Sequence, residues 1–374
     1  MRLLLTGGGT AGHINPALAI AETVLEHDPS AVIEFVGIRT GKEADLIPRE
    51  GYKLHFVRSM GIRRSLSPAN IKAVWLALTS PYAKETQQIL DDFRPDLVIG
   101  TGGYASWPIM RAAAKRGIPT AVHESNAIPG MTVKRLERHV DRIWLNFAQT
   151  AKQLKYQDKI VCTGNPLRRA FGVCDKDSAK RALGLSERDT LLLSFGGSLG
   201  AEAVNLAVLD VMERICTQNP NVICVHAAGK RDFGHIRAEF EGRGLNAYPN
   251  CRLVDYIYQM PLYMSAADCV IARAGAMTLS ELATLKKAAI LIPSPYVADN
   301  HQFKNAKALA DREAALLVEE KTLADGALTV AAEQLLTDTA MRAKQEQNIA
   351  AFADSHANER IWEEIQMLTG KSNA

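Results

Sequence analysis

The sequence predicts an α/β protein of two domains, each a doubly wound, Rossmann-like parallel sheet, the two expected to face one another across a cleft. Three observations predict it. The chain has 374 residues, more than one hydrophobic core usually encloses. Short apolar runs alternate with longer amphipathic ones along its length, as in parallel strands joined by right-handed helical crossovers. The pattern also restarts, because an apolar run empties into glycines at Gly7, Gly8 and Gly9 and again at Gly196 and Gly197, each time ahead of a helical stretch.

Taken in order, strands are expected at 3–5, 31–37, 53–57, 96–100, 119–123, 142–146 and 160–163. Gly164, Asn165 and Pro166 read as a linker, so the first domain is assigned to 1–164 and the second to 165–354. The second domain repeats the pattern with strands at 190–195, 222–227, 251–254, 269–272, 289–292 and 315–318. A helix at about 355–374 is expected to pack back on the first domain.

Composition narrows the partners. Net charge is only +3, which argues against a dedicated nucleic-acid binder. The basic excess lies in the first 165 residues and suits either an anionic surface or an ordinary solvated face. Cys162, Cys174, Cys216, Cys224, Cys251 and Cys269 form no C-x-x-C pair and read as small apolar residues in a reducing compartment. The first apolar run breaks at Gly7, too early for a signal peptide, and no run approaches a membrane span. A cytoplasmic protein, at most peripheral on a membrane, is expected.

Ligands of such sheets bind at the carboxyl ends of strands. The first of these ends carries Gly7 to His13, where bare backbone N–H groups meet a helix N-terminus and suit a phosphate or another polar ligand. The spacing is not a clean G-x-G-x-x-G, and no acidic residue ends the next strand to hold a ribose, so a tight turn without a ligand stays open. His13, an imidazole at the lip of the loop, is a candidate base. Further ends carry Thr101, Gly102, Gly103 and Tyr104, then His123, Glu124, Ser125 and Asn126.

In the second domain the densest group runs from Arg273 to Glu281. Gly275 frees a turn, the helix that follows offers its dipole to a diphosphate, and Glu281 suits two ribose hydroxyls. Alternatively, Glu281 closes a capping box with Thr278 as N-cap. The polar loop from Pro293 to Gln302 suits a polyol ligand or a plain N-cap. Walker and H-E-x-x-H motifs are absent, as is an Asp-x-Asp pair placed for a metal. Nothing in the sequence requires a cofactor, and divalent-cation dependence stays open. Sugar transfer from a sugar nucleotide needs only one base, because the nucleoside diphosphate leaves as a stabilised anion.

With these residues in place the chain resembles the bacterial peptidoglycan N-acetylglucosaminyltransferases, GT-B-fold enzymes of glycosyltransferase family 28. GGGTAGHINPALAIAE, TGGY, HESNAIPG, GNPLR, FGGSLGA, RAGAMTLSE and NHQFKNA occur in the family's order. The resemblance implies inverting transfer of GlcNAc from UDP-GlcNAc to the C4 hydroxyl of MurNAc in undecaprenyl-pyrophosphoryl-MurNAc-pentapeptide, lipid I, at the cytoplasmic face of the cell membrane. It implies His13 and Glu124 as catalytic, with Thr10, Ala11 and Gly12 in the donor loop, and Gly102, Gly103 and Tyr104 on the acceptor side. Asn126 and Gln302 then meet the donor sugar, Arg168 and Ser198 the diphosphate, and the Ile257 backbone the uracil. Ala276, Met277, Thr278, Leu279, Ser280 and Glu281 form the diphosphate and ribose segment.

Three positions depart from the family: Ala11 where glycine is common, Ser125 where glutamine is, and His301 in place of a first glutamine. The methyl of Ala11 requires a negative φ there. Competing readings are a diacylglycerol sugar transferase, a sugar-nucleotide epimerase and a non-catalytic nucleotide-binding module; a dehydrogenase lacks its ribose acid. The stretch Ile62, Arg63, Arg64, Ser65 and Leu66, continuing through Lys72, Trp75, Leu76, Leu78, Thr79 and Tyr82, resembles the family's basic-rimmed apolar dock for an anionic membrane. Lys134, Arg135 and Arg138 extend that rim. The spacing of Trp75, Leu78 and Tyr82 equally suits the core face of a helix.

Overall fold

The computed structural model describes residues 1–59, 75, 78–197, 200–297 and 300–370. The chain forms two compact units, one comprising Met1–Arg169 with Asp354–Ala374 and the other Ala170–Ala353.

Unit 1 holds a seven-stranded parallel sheet among the described residues. Its strands are β1 (Arg2–Thr6), β2 (Val32–Gly37), β3 (Lys53–Phe56), β4 (Leu97–Gly100), β5 (Thr120–Glu124), β6 (Arg142–Leu145) and β7 (Ile160–Cys162). Leu3 to Leu5 and Leu97 to Ile99 are wholly buried, because helices cover both faces of the sheet and leave no polar side to alternate with. The spatial order is β3-β2-β1-β4-β5-β6-β7, so the chain builds outward from β1 in one direction and then returns to build in the other. That reversal opens a crevice at the carboxyl ends of β1 and β4.

Unit 2 repeats the plan with β8 (Thr190–Phe195), β9 (Val222–Ala227), β10 (Cys251–Val254), β11 (Cys269–Ala272), β12 (Ala288–Leu291) and β13 (Leu316–Leu317). Its order, β10-β9-β8-β11-β12-β13, reverses between β8 and β11.

The unit boundary falls at 169/170, five residues beyond the expected 164/165. Side chains of unit 1 hold the intervening stretch: Asn358 accepts from the Leu167 N–H at 3.0 Å and donates to its carbonyl at 2.9 Å, while Glu22 accepts from the Arg169 N–H at 2.8 Å. Asn358 belongs to the helix Ala357–Leu368, which lies on unit 1. Ile361 and Ile365 are buried in the cluster around Ile14, Leu18 and Trp144, and the Trp144 indole donates to Glu364 at 3.1 Å.

The exposure of Trp75 (61%), Leu78 (67%) and Tyr82 (54%) excludes the core-face reading of these three. Ile62, Arg63, Arg64, Ser65, Leu66, Lys72 and Leu76 of the same stretch lie outside the described residues.

Each unit buries one neutral histidine behind its crevice. His123 donates through Nε2 to the Gly164 carbonyl at 2.9 Å, and His226 bridges Ser194 and Asn205 at 3.1 Å on each side. Burial lowers both imidazoles to about 4. The folded chain therefore refuses a proton that the unfolded chain accepts at about 6.5. Stability from this source is complete above about pH 6.5 and falls as pH drops toward 4, by up to about 1.4 kcal/mol per pH unit for each histidine. Urea midpoints should decline over that range, and the imidazole NMR signals of His123, His226 and His139, the last lowered to about 4 by burial and the nearby Arg111, Arg138 and Lys159, should stay fixed down to about pH 5. Normal titration of all the histidines would refute the account.

Candidate functional site

In unit 1, β1 runs into Gly7, Gly8 and Gly9, and Thr10 is the N-cap of the helix Ala11–His27. Ala11 and Gly12 form the first turn; Ala11 is absent from the positive-φ residues, which meets the condition its methyl imposes. The turn returns the His13 ring toward the loop, with Nδ1 3.1 Å from the Gly8 carbonyl and 3.3 Å from the Thr10 hydroxyl. A carbonyl can only accept, so a hydrogen bond at this contact requires the proton on Nδ1, which in the neutral ring leaves the lone pair on Nε2. Nε2 has no hydrogen-bond partner among the described residues.

The β4 loop forms the floor under that ring. Gly102 and Gly103 both take positive φ, at +104° and +77°. A β-carbon on Gly102 would stand 2.8 Å from His13 Cδ2 and 3.1 Å from Nε2, and one on Gly103 would strike the Gly8 carbonyl. The Thr101 hydroxyl donates to the His13 carbonyl at 2.6 Å, tying the two loops together. Tyr104 lies against Gly9, and burial followed by the nearby Glu43 carboxylate raises its phenol above the usual value.

At the end of β5 Glu124 is buried and both its oxygens are engaged. One accepts from the backbone and side-chain nitrogens of Asn126 at 2.9 and 3.0 Å, the other from the Gly130 N–H at 2.7 Å. The carboxylate thus clamps the turn that presents Asn126. Arg168 sits in unit 1, where its guanidinium donates to Glu22 at 2.8 Å and as a fork to Glu50 at 2.8 and 2.6 Å. The sequence reading attached Arg168 to a diphosphate and did not anticipate these carboxylates, which lie over a hundred residues away in the chain.

Unit 2 places its groups around β11. Gly275 is the N-cap of the helix Ala276–Thr284 and no side chain caps it. Thr278 therefore lies inside the first turn, and the capping box with Thr278 as N-cap does not form. Ala276, Met277 and Leu279 are buried, and the helix begins where β11 ends, beside β8 in the sheet. The Ser280 hydroxyl donates to the Ala276 carbonyl at 3.2 Å, and Glu281 is buried on the second turn. Ile257 is buried through its side chain, flanked by Tyr256 and Tyr258, whose rings meet edge-on at 4.9 Å. Gln302 accepts from the Ser294 N–H at 2.9 Å through Oε1 and so fixes the polar loop after β12. Ser198 lies outside the described residues.

Sequence reasoning missed Glu43, a fully buried carboxylate beneath the first glycine loop. Its signal was the pair Gly37 and Gly41 immediately ahead of it, small residues grouped without a turn motif to explain them.

Paired sheets of this topology, with an imidazole at one crevice and a helix N-terminus backed by a carboxylate at the other, have the architecture of GT-B glycosyltransferases. The comparisons carry this further, and the chain belongs to glycosyltransferase family 28: residues 3–145 match the family's N-terminal domain and 191–361 its C-terminal domain. A relative from Acetivibrio thermocellus is 38% identical over 98% of both chains and is named UDP-N-acetylglucosamine--N-acetylmuramyl-(pentapeptide) pyrophosphoryl-undecaprenol N-acetylglucosamine transferase. The crystal structure of Acinetobacter baumannii MurG matches with a TM-score of 0.68 at 25% identity, covering 98% of this chain and 99% of that one. A UDP-GlcNAc 2-epimerase from Neisseria meningitidis, bound to UDP-GlcNAc, matches with a TM-score of 0.65 over 98% of this chain and 100% of its own. At 14% identity that likeness speaks for the fold alone.

The floor beneath His13 yields a prediction. In Gly102→Ala the new methyl meets the imidazole at a backbone angle that alanine rarely adopts, so the ring must move. Glycosyl transfer should fall at least about 10-fold, while UDP affinity measured by calorimetry is unchanged. Wild-type turnover in Gly102→Ala would remove this contact from the working site.

Proposed function

We propose that this chain transfers GlcNAc from UDP-GlcNAc to the C4 hydroxyl of the MurNAc unit of lipid I, with inversion, giving lipid II for peptidoglycan synthesis. The observation that carries the reading is the match, over 98% of both chains, to a relative named for this reaction. The geometry of each unit supports it with a chemical role.

His13 is the base. The acceptor hydroxyl gives its proton to Nε2, its oxygen bonds to the anomeric carbon, and the bond from that carbon to the diphosphate breaks with its electron pair on UDP. Attack from the face opposite the leaving group inverts the centre. UDP leaves as an anion at the N-terminus of the Ala276–Thr284 helix, whose N–H groups and dipole favour the charge, so no protein acid is needed. Glu281 receives the ribose hydroxyls, the Ile257 backbone the uracil, and Gln302 and Asn126 the sugar, with Asn126 positioned by Glu124. Gly102, Gly103 and Tyr104 line the acceptor side, and Ser198 and Arg168 complete the donor set.

Replacing the base separates chemistry from binding. His13→Ala should lower kcat by roughly 10²- to 10⁴-fold while UDP affinity holds. Unchanged turnover would end the assignment of His13.

The acceptor's polyprenyl chain lies in a membrane, whereas no described helix is long and apolar enough to cross one. We place the enzyme at the cytoplasmic face, docked through unit 1 on anionic lipid. Exposed Trp75, Leu78, Tyr82 and Met131, the last beside Lys134 and Arg135, support that reading. Attraction to anionic lipid contributes about 1 kcal/mol per basic residue and is screened by salt. Co-sedimentation with phosphatidylglycerol vesicles should therefore weaken with salt and with Lys134→Glu/Arg135→Glu. Equal binding to neutral vesicles, insensitive to both changes, would refute this dock.

A further inference from the structure

Glu43 opens the short helix Glu43–Arg49 and is fully buried. Its two oxygens accept from main-chain donors of separate stretches, Oε2 from the Gly9 N–H at 2.9 Å and Oε1 from the Ile38 N–H at 3.0 Å. A β-carbon on Gly8, Gly37 or Gly41 would run into the Glu43 side chain, so three glycines leave room for this one carboxylate. An apolar side chain would fill the same space without desolvating a charge.

What the carboxylate adds is direction. The Gly9 N–H and the Gly8 carbonyl belong to one planar trans peptide unit and point in opposite directions. Drawing the N–H down onto Glu43 turns the carbonyl up toward His13, where it lies 3.1 Å from Nδ1. The same peptide plane is thus held at both ends, by a carboxylate on its donor and an imidazole on its acceptor.

We propose that Glu43 is a positioning residue for the proton transfer: by orienting the Gly8–Gly9 peptide it keeps His13 in the Nδ1–H form, with the Nε2 lone pair directed over Gly102. The proposal rests on the reading above in which His13 is the base. Glu43 itself acts only through the glycine loop.

Glu43→Gln tests it, because the amide keeps the shape but offers one acceptor where two donors converge. We expect kcat to fall about 10- to 100-fold with the KM for UDP-GlcNAc within about twofold. In a His13→Ala background the same change should alter residual turnover by less than about twofold, because the two side chains act as one unit. An equal fold-loss in both backgrounds, or wild-type kcat in folded Glu43→Gln, would overturn the proposal.

A second measurement needs no turnover and no variant of Glu43. Nitrogen-15 NMR of the imidazoles near pH 8, with the His13 signals identified by their loss in His13→Ala, should show Nδ1 protonated and Nε2 bare in the wild type. A protonated Nε2 would overturn the proposal whatever the enzyme's substrate. The expected tautomer in a protein that fails to use UDP-GlcNAc would leave Glu43's role intact and refute the proposed reaction instead.

Discussion

A parallel sheet that grows outward from its first strand in both directions leaves a crevice where the crossovers part, and this chain builds that crevice twice. Between β1 and β4, and again between β8 and β11, the loops leaving adjacent strands diverge to opposite faces of the sheet. The strands beneath the crevices are buried on both faces, and three of the four end in or run straight into glycine, at Gly7, Gly100 and Gly196. His13, Gly102 and Gly103 meet only because β1 and β4 are hydrogen-bonded neighbours, although ninety residues separate them.

Polar groups buried behind the crevices hold these loops in shape. His123 fixes the turn at Gly164, His226 joins β8 to the helix Glu202–Arg214 through Asn205, Glu124 clamps the turn after β5, and Glu43 holds the first glycine loop. Each is satisfied by hydrogen bonds, without which a buried polar group would be strongly destabilising. Such groups add little net stability, but they leave the backbone few alternative arrangements. That rigidity suits a site in which a proton and a sugar must move between atoms held to within a fraction of an ångström.

The division of labour between the units follows from the chemistry proposed. In that proposal the diphosphate leaving group needs charge stabilisation, which a helix N-terminus supplies through its backbone, and unit 2 is assigned this part through main-chain N–H groups and a few polar side chains. An alcohol nucleophile needs a base, and one imidazole with its tautomer set is sufficient. Unit 1 accordingly concentrates on a single ring and the groups that orient it.

Local pattern made much of this legible in the sequence. Apolar runs between helical stretches located the strands to within a residue or two, since a parallel sheet covered on both faces has no other way to read. The glycine turns and His13 were visible because positive φ and close approach demand glycine and because few side chains titrate near neutrality. What stayed hidden were relations between distant residues. Arg168 with Glu22 and Glu50, Asn358 with Leu167, and Glu43 with Gly9 are contacts that no local periodicity encodes. Helical spacing grouped Trp75, Leu78 and Tyr82, but only the packing of the rest of unit 1 decided that all three are exposed. The start of the Ala276–Thr284 helix was likewise decided by the end of β11, which put Gly275 at the cap and Glu281 a turn further in than a capping box allows. By itself the sequence determined which segments become strands and helices and where the backbone must be bare; which side chains then meet across those segments depends on the register and order of the sheet, and only the tertiary structure sets those.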